Sequence, residues 1–306
     1  MTSIVIAAHN EATVIGRCLD ALLADAAPGE LDITVVPNGC TDATAAVASA
    51  RGVRVVEVAE ASKAAALNAG DLAAVGFPRI YLDADIVVGT AGIRSVSRAV
   101  SGQGIVPGGT ATAPKVLAAV PARRLELADR PWPVRAYFAV NTQLPAFREG
   151  LFGRGMVALS EAGRARFDTF PMMVADDLFL DSLFDVDEKV CVADVVTTVE
   201  APRRTKDLVN RLVRVRRGNA AMRTAGGRGA LGIAVRPADR TAWLREVVRP
   251  NPRLAPAGLV YAAITLAAAV LAKRSAQSDT TWQRDESTRS PTNADGDNGH
   301  MDGRQT

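Results

Sequence analysis

Short apolar runs and helical periodicities take turns along the first hundred residues of the chain. Ile4 to Ala8 is a continuous apolar run, the pattern of a strand buried on both faces. Ala12 to Leu23 follows with Val14, Ile15, Leu19, Leu22 and Leu23 on one helical stripe. Asp32 to Val36 and Val53 to Val58 repeat the strand pattern. Between them lies a helix over Thr41 to Ala50, with Thr41 or Asp42 as its N-cap. An alanine-rich helix from Lys63 to Val75 leads into a fourth strand, Ile80 to Leu82. Strand–helix alternation with short connections predicts a mostly parallel sheet covered on both faces, an α/β fold. Such sheets bind ligands at the carboxyl ends of their strands. His9-Asn10-Glu11, Asn38-Gly39 and Asp83-Ala84-Asp85 all fall there.

Beyond residue 100 the pattern loosens. Gly104 to Thr112 reads as a strand, Val120 to Asp129 as a helix, and Gly150 to Ser160 as a strand with a glycine-rich entry. Arg130-Pro131-Trp132-Pro133 is expected to be a loop facing the site. Asp176 to Phe184 has the helical spacing of Leu178, Leu180 and Leu183, and residues 206–224 form a basic helix rich in Arg and Val. Leu254 to Ala272 is uncharged and apolar over a length near that needed to span a bilayer, with Arg253 before it and Lys273-Arg274 after it. Two readings of this run stand side by side: a membrane-associated helix and a buried helix of a soluble body. Basic residues on both flanks give no orientation. The tail from Ser275 is polar, rich in Asp, Ser, Thr and Gly, and expected to be disordered.

Composition is that of a globular protein, with 306 residues, 48% hydrophobic and 23% charged, enough for one large domain or two small ones. A net charge of +3 gives no argument for nucleic acid, and none is expected as a partner. The basic residues concentrate instead in Arg203 to Arg228. Cys18, Cys40 and Cys191 are odd in number and far apart, with no CxxC spacing. Neither a disulfide framework nor a zinc site is expected, which points to a reducing cytoplasm. The first strand opens at once, so no signal peptide is read.

The acidic pair Asp83 and Asp85 carries the most chemistry. At the end of a strand, residues i and i+2 project to one side about 6.5–7 Å apart, within reach of one divalent ion shared with a ligand's phosphates. Taken singly, each motif also has an ordinary structural reading. The acids suit a solvated turn, and Asn10, Glu11 and the Asn38 loop suit helix caps. Lys63 suits a solvated surface, and Asp176-Asp177 a helix start favoured by the macrodipole.

In order and spacing, four segments together resemble the successive signatures of family 2 glycosyltransferases, across about the first 90 residues. They are Val5-Ile6-Ala7-Ala8-His9-Asn10-Glu11, Val35-Val36-Pro37-Asn38-Gly39-Cys40-Thr41-Asp42, Lys63-Ala64-Ala65-Ala66-Leu67-Asn68 and Tyr81-Leu82-Asp83-Ala84-Asp85. The resemblance implies the GT-A fold, a nucleoside-diphosphate-sugar donor, Mg²⁺ or Mn²⁺, and inversion at the anomeric carbon. It implies donor contacts from Ala8, His9 and Glu11, with Glu11 at the nucleoside and Asn38 in the base loop. Pro37-Asn38 stands where the family more often carries Asp-Asp or Asp-Asn, which leaves uracil and guanine both open, with a UDP-sugar ahead of a GDP-sugar. Lys63 matches the position near the diphosphate, Asp83 the acid near ribose and metal, and Asp85 the direct metal ligand.

Val174-Ala175-Asp176-Asp177-Leu178 resembles the family's acidic pair that opens a helix, which implies Asp177 as the catalytic base and Asp176 as its neighbour. Gly153-Arg154-Gly155-Met156-Val157 resembles its glycine-bearing strand beside the acceptor. The family's Gln-x-x-Arg-Trp motif has no counterpart here; Arg214 or Arg217 is the pick for a diphosphate contact, against a membrane-surface role for the same helix.

The expected organisation is a nucleotide-sugar half over 1–100, an acceptor half over 101–225, a helical and membrane-associated segment over 226–274 and a tail over 275–306. The expected enzyme acts on a glycan or lipid-linked acceptor at the inner face of the cell membrane. The rivals are a nucleotidyltransferase, for which the first loop lacks a glycine-rich basic sequence, and a non-catalytic nucleotide-sugar-binding adaptor.

Overall fold

The computed structural model describes residues 1–101, 116–228, 235 and 237–274; the strand expected over Gly104 to Thr112 and the tail from Ser275 lie outside them. The first half alternates β1 (Thr2–Ala8), α1 (Ile15–Leu23), β2 (Leu31–Pro37), α2 (Thr44–Ser49), β3 (Arg54–Val55), α3 (Lys63–Ala73), β4 (Arg79–Leu82) and α4 (Thr90–Val100). The second half runs β5 (Ala118–Glu126), α5 (Trp132–Asn141), α6 (Pro145–Glu149), β6 (Met156–Leu159), α7 (Glu161–Arg164), α8 (Asp176–Ser182), β7 (Lys189–Glu200), α9 (Thr205–Gly227) and α10 (Ala255–Arg274).

All seven strands form one sheet in the order β3-β2-β1-β4-β6-β5-β7. The run β3-β2-β1-β4 is parallel, so the carboxyl ends of β1, β2 and β4 open on one edge. β6 then pairs antiparallel with β4. It therefore enters the sheet where β4 leaves it, which brings the residues before Met156 beside Asp83. The Asp83 N–H donates to Gly155 O at 2.8 Å and extends the ladder by one bond. Gly155 has φ +69, and a Cβ there would lie 2.3 Å from Ile86 Cγ1, so a side chain fails on both conformation and space.

The period of two in β1 divides the core between the two faces of the sheet. Ile4 and Ile6 pack with Ile15, Leu19, Leu22, Ile80, Ile93 and Val96 on the α1–α4 face. Val5 packs with Leu67, Tyr81, Val157, Phe170 and Leu178 on the α3–α8 face. Beside the second cluster a buried polar network ties α3, β4 and α7 together. Asp71 accepts from Tyr81 Oη at 3.0 Å and from the guanidinium groups of Arg79 and Arg164.

Three expectations need correction. Val120 to Asp129 is not a helix: Val120 to Glu126 belong to β5, paired along its whole length with β7, and Leu127 to Asp129 follow it into a turn. Ala, Arg, Leu and Glu carry good helix propensity, but sheet pairing outweighs it, and Pro121 is accommodated at a register shift between Pro121 and Ala122. Arg130-Pro131-Trp132-Pro133 is a loop only in part, because Trp132 and Pro133 open α5, where a proline in the first turn lacks only an N–H that would be unpaired anyway. The strand over Gly150 to Ser160 contracts to Met156–Leu159.

The carboxyl-terminal helices form a separate small cluster. Ile264 of α10 packs with Val134, Tyr137 and Phe138 of α5 and Leu208 of α9, and Tyr261 stacks on Tyr137 with ring centroids 5.0 Å apart. The opposite side of α10 leaves Leu259, Leu266 and Val270 exposed.

Candidate active site

The first two loops at the strand ends are interlocked by side chains. Asn10 sits at φ 53, a conformation Asn tolerates, and its Oδ1 accepts from the Thr41 N–H at 2.8 Å. The Glu11 N–H donates to Thr44 Oγ1 at 2.8 Å and the Ala12 N–H to Asp42 Oδ2 at 3.0 Å. Asp42 also accepts from the Thr44 N–H at 3.0 Å, while the residue at the α2 N-cap position is Ala43. His9 Nδ1 lies 2.6 Å from Asn38 O.

Asn38 itself is fully buried, and its amide donates to Ala8 O at 2.9 Å and to Val36 O at 3.3 Å. The amide N–H groups of Asn38 and the Ala8 carbonyl thus join β1 to β2, while Asn38 Oδ1 is buried without a hydrogen-bond partner among the described residues. Glu11 is buried near the start of α1. The Cys18 thiol is pushed up to about 12, by burial first and then by the charges of Asp85, Asp83 and Glu11.

The second constellation lies across β4. Ser62 caps α3 by accepting from the Ala65 N–H, which fixes Lys63 as the first helical residue. Lys63 Nζ reaches Asp83 Oδ1 at 2.9 Å and Asp176 Oδ2 at 2.8 Å. Asp176 and Asp177 open α8, and the Gly153 N–H donates to Asp177 Oδ2 at 3.0 Å. Lys63, Asp83, Asp176, Asp177, Tyr81 and Gly155 line one pocket. Asn68 ties the segment before α8 to α3, donating to Phe170 O at 3.0 Å and accepting from the Phe170 N–H at 2.7 Å.

These groups perturb one another. Withdrawal from water raises Asp83 and opposes the charge of Lys63; Lys63 lowers Asp83, whereas Asp85 and Asp176 raise it further, and the net direction is up. For Lys63 the burial effect is outweighed by Asp176, Asp83 and Asp177, so the ammonium persists well above its ordinary range. Asp177 is pushed up to about 7, by burial first and then by Asp176 and Asp83, against the lowering effects of Lys63 and the Gly153 N–H.

Asp85 stands apart on the exposed turn after β4, two residues beyond Asp83. Hard carboxylate oxygens suit Mg²⁺ or Mn²⁺. Among the described residues no three His, Cys, Asp or Glu side chains are close enough to enclose an ion. Asp83 and Asp85 are the two carboxylates at this strand end that could hold such an ion together with oxygens of a ligand.

Lys63, Asp83, Asp176 and Asp177 are thus brought together, with Asp85 at their rim, while His9, Glu11 and Asn38 build the neighbouring loops. Sequence reasoning gave no role to Asn68, to the Gly153 N–H that fixes Asp177, or to Arg123. Arg123 donates from Nη1 to Gly153 O at 3.4 Å and was hidden inside the expected helix.

Residues 3–97 match the family model described as Glycosyl transferase family 2, so the resemblance read from the four motifs is borne out over that segment. No curated protein matches the chain in sequence. Among solved structures, a mannosyltransferase from Pyrobaculum calidifontis in complex with GDP-Man and Mn²⁺ is 20% identical; the match covers 91% of this chain and 76% of that one, with a TM-score of 0.56. Glucosyl-3-phosphoglycerate synthase from Mycobacterium tuberculosis, in complex with Mn²⁺, UDP-Glc and phosphoglyceric acid, is also 20% identical, with 74% of this chain and 80% of that one covered and a TM-score of 0.52. The same enzyme with Mg²⁺ and UDP is 19% identical, with coverage of 74% and 79% and a TM-score of 0.52. The chain has the GT-A fold of these enzymes.

Proposed function

We propose that this chain is an inverting glycosyltransferase that moves a sugar from a nucleoside-diphosphate sugar to an acceptor hydroxyl. The observation that carries this reading is the junction of Lys63, Asp83, Asp176 and Asp177 in one pocket at the carboxyl end of β4, beside loops of the family-matched segment. Residues 1–100 form the nucleotide half and residues 101–225 the acceptor half.

In this reading Glu11, with the Ala8-His9 loop, borders the nucleoside, and the Asn38 loop borders the base. Asp83 and Asp85 hold Mg²⁺ or Mn²⁺, which supplies positive charge to the leaving diphosphate. Lys63 adds an ammonium at the diphosphate, charged at any physiological pH. Asp177 takes the acceptor's proton. The acceptor oxygen bonds to the anomeric carbon as the bond from that carbon to the diphosphate oxygen breaks, and the electron pair leaves with the phosphate. Attack from the face opposite the leaving group inverts the centre. A base whose proton affinity lies near neutrality is matched to this step.

A UDP-sugar is the first donor to test; one structural relative is in complex with GDP-Man and the other with UDP-Glc, so GDP-sugars belong in the same panel. The acceptor is a glycan or a lipid-linked glycan. The apolar outer side of α10, with Arg253 before it and Lys273 and Arg274 at its end, supports attachment to the inner face of the membrane. α10 is long and apolar enough to cross a bilayer. Its packing lengthwise against α5 and α9 favours lying in the interface instead.

The decisive experiment is release of UDP or GDP from a panel of nucleotide sugars with Mn²⁺ or Mg²⁺, with and without a membrane-lipid extract as acceptor. Release of one nucleotide that depends on the extract and stops in Asp177→Asn is expected. Donor binding without release in any condition would leave the adaptor reading standing.

A further inference from the structure

Asp177 is held by a loop, and a second acid of the same helix holds that loop. Asp177 and Asp181 stand four residues apart, on one face of α8. Asp177 Oδ2 accepts from the Gly153 N–H at 3.0 Å, and Asp181 Oδ1 accepts from the Leu151 N–H at 3.0 Å. Two carboxylates of one helix thus take alternate N–H groups of the segment that leads into β6.

The outer end of this arrangement is buried. Leu151 and Asp181 are both buried, and Lys189, the first residue of β7, closes the space behind them. Its Nζ lies 3.0 Å from Asp181 Oδ1 and donates to Asp181 O at 3.3 Å, so one ammonium holds both the carboxylate and a carbonyl of the last turn of α8. α8 has seven residues, and its N-cap residue, Ala175, offers no side-chain acceptor. A helix so short has little stability of its own, so ties of this kind set its course.

Other bonds hold the segment to other elements. Arg154 donates to the carbonyls of Pro121, Phe147 and Arg148, which fastens the segment to β5 and to its own approach. Its far end is held by Thr197 Oγ1, which donates to Arg154 O at 2.8 Å, and by the Asp83 N–H on Gly155 O. Beside the bond of Asp177 itself, Asp181 is the group that ties the segment to α8. Without that acceptor the Leu151 N–H would be buried and unpaired, a costly state that a shift of the segment relieves. Gly153 lies two residues away, at φ +58, and any such shift carries its N–H off Asp177.

We propose that Asp181 is a positioning residue for Asp177: by holding the Leu151 N–H it keeps the Gly153 N–H on the Asp177 carboxylate, and so fixes that carboxylate in the orientation from which it takes the acceptor's proton. The proposal rests on the glycosyltransferase reading of the pocket and adds to it a residue that does not line the pocket.

The test separates the hydrogen bond from the buried charge pair. Asp181→Asn with Lys189→Met keeps an oxygen for the Leu151 N–H and carries no charge. Asp181→Leu with Lys189→Met fills the same space without an acceptor. Changing both members avoids the stranded buried charge that either single change would leave. In each full-length chain the exchange of the Gly153 amide with deuterium is followed by NMR. Nucleotide release is measured with the donor sugar and metal that support it in the wild type. The Leu-bearing variant should exchange Gly153 at least tenfold faster and lose kcat tenfold or more. Its donor KM should stay within twofold, because Thr197 and Asp83 still hold the Gly155 end. The Asn-bearing variant should recover most of both losses. Wild-type exchange and kcat in the Leu-bearing variant overturn the proposal. So do equal losses in the two variants, which would assign the effect to the charge pair. If the Leu-bearing variant does not fold, the wild type decides: Leu151 and Gly153 should exchange at a common rate, as one opening unit. Gly153 exchanging tenfold faster than a still protected Leu151 overturns the proposal. Exchange needs no substrate, so a chain with the expected exchange pattern that releases nucleotide from no donor counts against the glycosyltransferase reading and not against the hold of Asp181 on the loop.

Discussion

Lys63 Nζ lies 2.8 Å from Asp176 Oδ2, joining the first residue of α3 to the first residue of α8, and the same ammonium is 2.9 Å from Asp83. One lysine therefore holds together two acidic pairs that are far apart in the chain. Lys63→Met should leave these carboxylates to repel one another. The side chains keep 24–45% of their surface exposed, so solvent screens part of the effect and the loss should be about 1–2 kcal/mol. Mn²⁺ should then raise the melting temperature of the variant more than that of the wild type. Equal metal shifts in the two proteins would mean that ion and ammonium do not share these carboxylates.

Asp177 gives a pH signature that needs no substrate. Its carboxyl titrates near 3.8 when free and is raised to about 7 in the fold. Across that window the native state keeps a proton that the unfolded chain has released. Stability therefore falls as pH rises from about 4 to about 7 and is level above. Asp177→Asn keeps an oxygen to accept from the Gly153 N–H and removes the buried charge. It should melt higher than wild type at pH 8, with little difference at pH 4, while transfer is lost and nucleotide binding kept. Thermal melts at the two pH values check the first part; a variant equally shifted at both would place the raised titration on another group.

Asp85 is exposed on the turn after β4, so its substitution tests chemistry with little cost to the fold. Asp85→Ala should reduce Mn²⁺-supported turnover at least a hundredfold and shift half-saturation by metal upward. Wild-type rates across the metal series would remove Asp85 from the ion's shell.

The first hundred residues were legible because their signals are local. Each strand from Ile4 to Leu82 is a short apolar run, and each loop at a strand's carboxyl end follows directly in the chain. The second half failed where pairing partners are distant. Nothing near Val120 announces that its neighbours will be β6 and β7, so the helix propensity of Ala122 to Leu127 misled, and β7 went unread. With β5 mistaken for a helix, Arg123 could not be placed beside Asp177. The Asp176–Asp177 start was readable as chemistry, but the Gly153 N–H and Lys63 ammonium that set its charge come from other elements. Asn38 illustrates the converse: the sequence placed it in the loop after β2, but nothing near it announced that its amide N–H groups would go to the Ala8 and Val36 carbonyls.

The Asp71 network offers a stability test away from the pocket. Asp71 is buried between Arg79 and Arg164 and also accepts from Tyr81. Asp71→Ala leaves two guanidinium groups facing a space without an acid, and removal of one partner of a buried pair costs about 3–5 kcal/mol. Chemical denaturation should show that loss, with a further fall in α3–β4 protection by hydrogen exchange. A loss below about 1 kcal/mol would mean that water reaches the site and screens the arginines.

The outer side of α10 allows attachment and folding to be separated. Leu259 and Leu266 are 72% and 66% exposed and lie seven residues apart, on one stripe of the helix, whereas Ile264 and Ala268 face α5 and α9. Replacing both leucines by Asp should therefore leave the melting temperature within a degree or two. If the stripe enters a lipid interface, each leucine contributes about 1.5–3 kcal/mol of burial, and the double variant should bind anionic vesicles at least tenfold less well. Residues 203–274 hold 16 Lys and Arg against 3 Asp and Glu in a chain with 36 against 33, so the basic charge concentrates in the stretch of sequence that ends in this helix and the remainder is net acidic. Wild-type binding should then require anionic lipid and weaken as salt rises. Unchanged vesicle binding in Leu259→Asp/Leu266→Asp would take the stripe out of the interface, and a large loss of melting temperature would show that it packs inside the protein.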